Sequence, residues 1–276
     1  MNTYHSKPLG PVEAYMYGLK SRAHLHHCLG NAAFPVDLTN LTAARKRYSR
    51  EVRAVTLMPF FIKAAALSYR ANPAATRILF QRFPFRRKIV QFDAVDINIP
   101  VTRVVEGEQV TFIGIIRNAD KLSIAEIQEA HTRLHRDPPE QSVYLQKLAR
   151  LRKSSKLAVG FYHWLIGRSP AFYLKNAGTC GVIPMDAMAG GHFFPIGPTS
   201  AMFGIGGVGD EVVARDGKPA VRRMLQASLA LDNYVVSGPE GLLLTQTFKQ
   251  LVESCSFVDD ELQGALDEAD ALRKTA

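Results

Sequence analysis

The sequence predicts an α+β two-layer sandwich, a mixed sheet with flanking helices. Three observations lead there. Segments rich in Val and Ile, such as Val95 to Val105 and Val110 to Arg117, lie close together and are joined by a Gly107 turn, as hairpin strands are. A second hairpin signal, Asp216-Gly217, divides two further extended runs. Segments with helical apolar spacing flank both, and no Gly-, Ser- or Pro-rich linker splits the chain. Residues 1–276 are therefore read as one domain.

Residues 11–27 repeat apolar side chains at helical spacing (Val12, Tyr15, Met16, Leu19) and read as a leading helix. Ala33 to Leu38 reads as a strand, and Thr39 as the N-cap of a helix to about Arg50. Leu57 to Tyr69 is apolar with an Ala64-Ala65-Ala66 run, a buried helix that Asn72-Pro73 ends. Ser123 with Glu126 three residues on forms a capping box for a helix to about His135, stopped by Asp137-Pro138-Pro139. Gln141 to Arg152 reads as a basic helix. Lys156 to Tyr173 reads as a second, apolar nearly all round, packed on the sheet or between subunits, with a lid or a surface for a lipid-like group as the alternative. Cys180 to Ile183 is a strand. Gly204-Ile205-Gly206-Gly207-Val208-Gly209 imitates a dinucleotide loop, but a strand and a turn follow it where phosphate binding needs a helix N-terminus. Pro239 opens a helix to about Ser254, and residues 259–273 read as a polar tail helix.

Composition narrows the function. The chain is 47% hydrophobic and 21% charged, ordinary for a globule with a real core. It has no apolar run long enough for a membrane span and no signal-like apolar N-terminus. Its three cysteines lack Cys-x-x-Cys spacing, which fits reduced thiols in a cytoplasm and no metal site. A net charge of +9 suits an anionic partner such as a phosphate-bearing coenzyme or an acidic acyl carrier protein. The basic cluster Arg82-Phe83-Pro84-Phe85-Arg86-Arg87-Lys88 is too short to argue for nucleic acid.

Several stretches resemble, in order, the dihydrolipoamide acyltransferase catalytic domain of 2-oxoacid dehydrogenase complexes and its chloramphenicol acetyltransferase-like relatives. They are Pro35-Val36-Asp37-Leu38-Thr39, Leu57 to Ala66, Asp96 to Val101, Ile115-Ile116-Arg117-Asn118-Ala119-Asp120, Gly178-Thr179, Asp216-Gly217-Lys218 and Leu231-Asp232-Asn233-Tyr234-Val235-Val236-Ser237-Gly238. The last is similar to the family motif Asp-His-Arg-x-x-Asp-Gly. The resemblance implies the chloramphenicol acetyltransferase-like fold, a homotrimer with active sites between subunits, and coenzyme A or acyl-coenzyme A as co-substrate without lipoate or metal. It implies a free-standing member lacking lipoyl and subunit-binding domains.

The same resemblance puts Asn233 at the position of the general-base His, Ser237 at that of the supporting Asp, and Tyr234 at that of the Arg. Asn has no nitrogen that titrates near neutrality, so it can orient a group or donate a hydrogen bond but not serve as the base. The oxyanion hydroxyl of the family falls near Gly181, with Thr179 and Ser200 close in sequence. Lys63, which matches a helix Lys near the coenzyme end of the channel, and Thr179 are the residues expected to bind the coenzyme. Among the eight histidines, His27 and His26 rank first as a replacement base, because the segment before the Val36-Asp37 strand lines the acceptor pocket in the family; His192 ranks second. His131 and His135 read as a solvated pair four apart on one helix. The expected function is coenzyme A-dependent acyl transfer to a small-molecule or carrier-bound acceptor at a non-standard site. Two alternatives stay open: an inactive trimeric binding or scaffold homologue that partners an active paralogue, and a different reaction on a thioester in the same channel.

Overall fold

A computed structural model describes residues 28–82, 86–105, 107–185 and 191–264. The leading helix and the histidines at 24, 26 and 27 lie outside them. The chain order is β1 (Leu29–Asp37), α1 (Thr39–Glu51), α2 (Met58–Ala71), a 3-10 turn (Pro73–Thr76), β2 (Arg77–Arg82), β3 (Arg86–Gln91), β4 (Ile97–Val105), β5 (Glu108–Ile116), α3 (Ile124–Arg136), α4 (Val143–Arg152), α5 (Lys156–Ile166), α6 (Pro170–Ala177), β6 (Cys180–Pro184), β7 (Ala201–Arg215), β8 (Lys218–Asp232) and α7 (Gly238–Ser254). Residues 256–264 are helical, which covers the described part of the expected tail helix.

Six strands form one mixed sheet in the order β1-β8-β7-β6-β4-β5, parallel at β4/β6 and β6/β7 and antiparallel elsewhere. The long β7–β8 hairpin closes through Asp216 and Gly217, both at positive φ (50° and 73°), as a two-residue hairpin turn requires. At the outer edge, the Tyr144 hydroxyl accepts from Ile115 N (2.8 Å) and lies 3.2 Å from Ile115 O, so α4 occupies hydrogen-bonding groups that β5 would otherwise expose.

Helices α2 and α7 supply the second layer. Ten residues of α2 are buried, which is why its sequence shows no polar stripe. Phe248 of α7 stacks on Phe203 of β7 at 4.3 Å and meets Phe34 of β1 edge-on at 6.2 Å, so one ring joins helix and sheet. The Tyr69 hydroxyl, fully buried, donates to Gly181 O at 2.8 Å.

Most elements match their expected spans; four differences are instructive. Helix α1 starts at Thr39, with Leu38 as N-cap and no side-chain cap bond. Instead Asp37 Oδ1 accepts from Thr39 N (2.8 Å) and Thr39 Oγ1 (2.6 Å), a local turn that does the capping work one residue earlier. Of the basic cluster, Arg82 and Arg86 to Lys88 belong to the β2/β3 ladder, and residues 83–85 lie outside the described residues. The apolar stretch 156–173 is two helices, broken at Gly167, with the Ser169 hydroxyl accepting from Phe172 N to start α6. The glycine-rich run is a strand, β7, with a register shift between Ile205 and Val208.

The α3 capping box forms as read: Ser123 N and Oγ donate to Glu126 Oε2 at 2.8 and 2.9 Å, and Ser123 Oγ accepts from Glu126 N. His131 is only partly exposed, less solvated than its spacing implies, while His135 is exposed. Their rings are 4.6 Å apart. Burial, with the His135 ring beside it, pushes the His131 imidazole down to about 4. A lowered folded-state value for a base favours its neutral form. This contribution to stability is therefore complete above the ordinary value near 6.5 and is lost as pH falls from there to about 4. Since His131 keeps partial access to solvent, the expected loss is on the order of 1–2 kcal/mol. Chemical denaturation at pH 7 and pH 4.5 should show it, and His131→Leu should flatten that part of the profile.

Candidate active site

The motif residues sit where β8 ends and α7 begins. Asp232, the last residue of β8, is buried, and its backbone N–H donates to Ser200 O at 2.8 Å. Its Oδ1 accepts from Cys28 N (3.2 Å) and Tyr234 N (3.0 Å), and its carbonyl receives Val235 N (3.1 Å) and Val236 N (3.0 Å). One aspartate thus turns the chain out of the sheet and ties it to the start of β1.

Asn233 follows on that turn. Its backbone N–H donates to Cys28 O at 2.7 Å, and its side chain lies over Gly30, the β1 partner of Leu231. A Cβ at position 30 would fall 2.5 Å from Asn233 Nδ2, so the amide fits there only because residue 30 has no side chain. Asn233 is exposed, whereas Val235 and Val236 beyond it are buried. The result is a carboxamide presented to solvent on a fixed backbone.

Ser237 does not face Asn233 as a partner. It is the N-cap of α7: its N–H and its hydroxyl both donate to Glu240 Oε2 at 2.8 Å. Arg77 binds the other Glu240 oxygen at 2.9 Å. The Ser237 bonds, with the Arg77 guanidinium, hold the Glu240 carboxyl below the ordinary carboxylate range. Ser237→Ala should therefore cost about 1 kcal/mol by urea denaturation, the ordinary loss for a helix cap.

The other candidates are dispersed. Thr179 is fully buried, and its hydroxyl accepts from Asp96 N (2.9 Å) and donates to Ala94 O (3.0 Å). It fastens β6 to the start of β4 and is not available to a coenzyme, which corrects its expected role. The Lys63 ammonium is also turned inward. It donates to Asp120 O (3.1 Å) and Leu122 O (2.5 Å) and lies 3.5 Å from Glu261. That carboxylate also accepts from Ile124 N at 2.9 Å. Lys63 thus links α2, the start of α3 and the C-terminal helical segment, and is neither a surface lysine nor directed at a ligand. At Gly181 a Cβ would lie 3.0 Å from Asn98 Oδ1, so this strand position carries no hydroxyl and has no room for one.

His192 is exposed on the loop over β7. Gly191 O of that loop would be 2.8 Å from a Cβ at Gly206, beside Gln226. Six residues of β8 lie between Gln226 and Asn233, roughly 20 Å of strand. Within one chain His192 therefore does not reach Asn233. His26 and His27 lie outside the described residues; Cys28, which follows them, is the residue bonded to Asn233 and Asp232. A further group that sequence reasoning ranked low is Ser200: its Oγ is buried without a hydrogen-bond partner among the described residues, while its carbonyl holds Asp232. The register Ala201 to Leu231 is what brings them together, and no local signal displays it.

Comparison with known proteins agrees with this frame. A profile of the 2-oxoacid dehydrogenases acyltransferase catalytic domain matches residues 21–149. Over that stretch, just under half of its length, the chain is similar to this family. Among curated relatives of this family, it is 23% identical over 230 residues to the dihydrolipoyllysine-residue succinyltransferase component of the 2-oxoglutarate dehydrogenase complex of Rickettsia typhi, covering 79% of this chain and 48% of that protein. It is 24% identical over 210 residues to the acetyltransferase component of the Bacillus subtilis pyruvate dehydrogenase complex, covering 74% and 40%. The chain spans about half the length of the curated relatives it matches. Its fold is that of the family's catalytic cores. It aligns with the dihydrolipoamide acetyltransferase of Azotobacter vinelandii at a TM-score of 0.68 and 19% identity, covering 92% and 93% of the two chains. A probable dihydrolipoamide acetyltransferase from Listeria monocytogenes gives 0.65 and 20%, covering 91% and 95%.

Proposed function

We propose that the chain is a coenzyme A-dependent acyltransferase with a non-standard site, acting on a small-molecule or carrier-bound acceptor. The observation that carries this reading is the motif turn itself. Asp232 and Cys28 hold the backbone of residue 233 as firmly as a catalytic position needs, and Gly30 leaves room for its side chain, although that side chain is an amide. In this reading Asn233 donates from Nδ2 to the thioester carbonyl oxygen as negative charge grows there. A histidine of the segment preceding Cys28, His27 or His26, takes the proton from the acceptor thiol, hydroxyl or amine. The acceptor atom bonds to the carbonyl carbon, the C–S bond breaks, and the departing coenzyme A thiolate receives that proton. The exposed apolar side chains next to Asn233, Tyr234 on the turn and Leu242 and Leu243 on α7, suit a neighbouring copy, in keeping with a homotrimer whose subunits complete one another's sites.

A second reading has its own observation. Ser237 replaces the family carboxylate and is committed to capping α7, so the chain keeps the form of the site without its ion pair. That favours a trimeric binding homologue without turnover. Calorimetry with coenzyme A and acetyl-coenzyme A, followed by release of free thiol in the presence of thiol, hydroxyl and amine acceptors, separates the two. Binding with transfer supports the acyltransferase; no binding by the folded protein overturns it and supports the second reading, a binding or scaffold homologue, as does binding without transfer to any acceptor.

A further inference from the structure

Helix α5 is apolar on two sides. Val159 and Ile166 are 3% and 1% exposed and anchor it to the protein. Leu157, Phe161 and Trp164, spaced four and three residues apart on the opposite side, are 86%, 62% and 50% exposed. Phe161 and Trp164 stack at 5.5 Å, so they present one continuous aromatic surface. Tyr234 and Phe194 are exposed singly, whereas here three large apolar side chains stand outward together on one helix face.

Its charge surroundings are one-sided. Residues 141–185 contain seven Lys and Arg and no Asp or Glu, against a net charge of +9 for the whole chain. Exposed Lys153 lies just before the α5 N-cap, Ser155, and the Arg168 guanidinium, just after the C-cap, lies 4.5 Å from the centre of the Trp164 ring. The apolar face is thus bracketed by cations at both ends. A groove between the end of β4 and α4 reaches the same Lys153, with Val105, Val110 and Leu148 as apolar walls and Arg103 and Glu140 among its polar ones.

We propose that the outer face of α5 is a docking surface for an anionic lipid bilayer. Leu157, Phe161 and Trp164 enter the headgroup boundary while the exposed Arg150 and Lys153 meet lipid phosphates. The helix has 11 residues, too few to span, and no described helix is long and apolar enough to cross a membrane, so the attachment is peripheral. An acidic protein would satisfy the charge, but three bulky side chains standing outward with no polar residue among them suit hydrocarbon better. This inference does not depend on the acyltransferase reading.

Trp164 is the only tryptophan, so its fluorescence reports on this face alone. The full chain is titrated with phosphatidylglycerol vesicles and with phosphatidylcholine vesicles, with flotation as the second readout. Expected are a blue shift and co-flotation with phosphatidylglycerol, weakened by salt and by Arg150→Glu/Lys153→Glu by about five-fold or more per residue. Leu157→Ser/Phe161→Ser should weaken binding on the order of ten- to a hundred-fold, and both variants replace exposed residues, so folding is retained. The proposal is overturned by any of four results: no vesicle binding, equal binding to both lipids, binding unchanged in both variants, or a blue shift produced instead by raising protein concentration without lipid or by adding an acidic acyl carrier protein.

Discussion

Replacing His26 and His27 together by alanine is expected to lower the rate of acyl transfer by about 10²–10⁴-fold while leaving coenzyme A binding intact. That range is the usual contribution of a general base. Chain connectivity is the reason. Asn233 cannot hold a proton, His192 is held far along the hairpin, and the chain reaches Asn233 through Cys28, the residue next to His27. Thiol-release rates for wild type, each single variant and the double variant decide it. A double variant as fast as wild type would remove both histidines from the mechanism. Loss of rate with loss of coenzyme binding would make them pocket residues rather than the base.

The largest stability effect is expected at Phe248. Its ring is fully buried, stacked on Phe203 and edge-on to Phe34, so Phe248→Ala opens a cavity between α7 and two strands of the sheet. Truncations of this kind cost about 3–5 kcal/mol, a fall in Tm of roughly 10 °C for a domain of this size. Calorimetric melting checks it. Phe248→Leu, which refills most of the space, should recover much of the loss; equal losses for both would show that ring stacking rather than volume is what matters there.

Much of this architecture can be read locally, and the misses share a cause. The Ser123–Glu126 box, the Asp216-Gly217 turn and the β4/β5 pair all depend on near neighbours, and each forms as its residues predict. The β2/β3 ladder was hidden because Arg, Lys and Gln break the apolar period of its strands. The α5/α6 break was hidden by an unbroken apolar run, although Gly167 and Ser169-Pro170 are adequate stop and start signals. At the candidate site, the resemblance to the family motif pointed to Asn233 and Ser237. What those residues do is fixed by partners distant in sequence: Gly30 and Cys28 across the β1/β8 register, and Arg77 through Glu240. Lys63 and Thr179 have the right residue types for a coenzyme site, but their polar atoms are bonded to backbone groups that no periodicity displays.

The glycines of β7 bear on how this protein would tolerate change. The backbone of residues 191–195 crosses the strand so closely that a Cβ at Gly204 would fall 2.6 Å from Phe193 O, and one at Gly206 would meet Gly191 O. Flexible side-chain tips can move aside; a crossing main chain with neighbours on both sides cannot. In a deep mutational scan these two positions would therefore reject every substitution, alanine included, and would score alongside residues that touch substrate. Their intolerance would map a seam where two stretches of chain are pressed together, and a library meant to alter chemistry would gain by leaving it fixed and varying the exposed turn at Asn233 and Tyr234 instead.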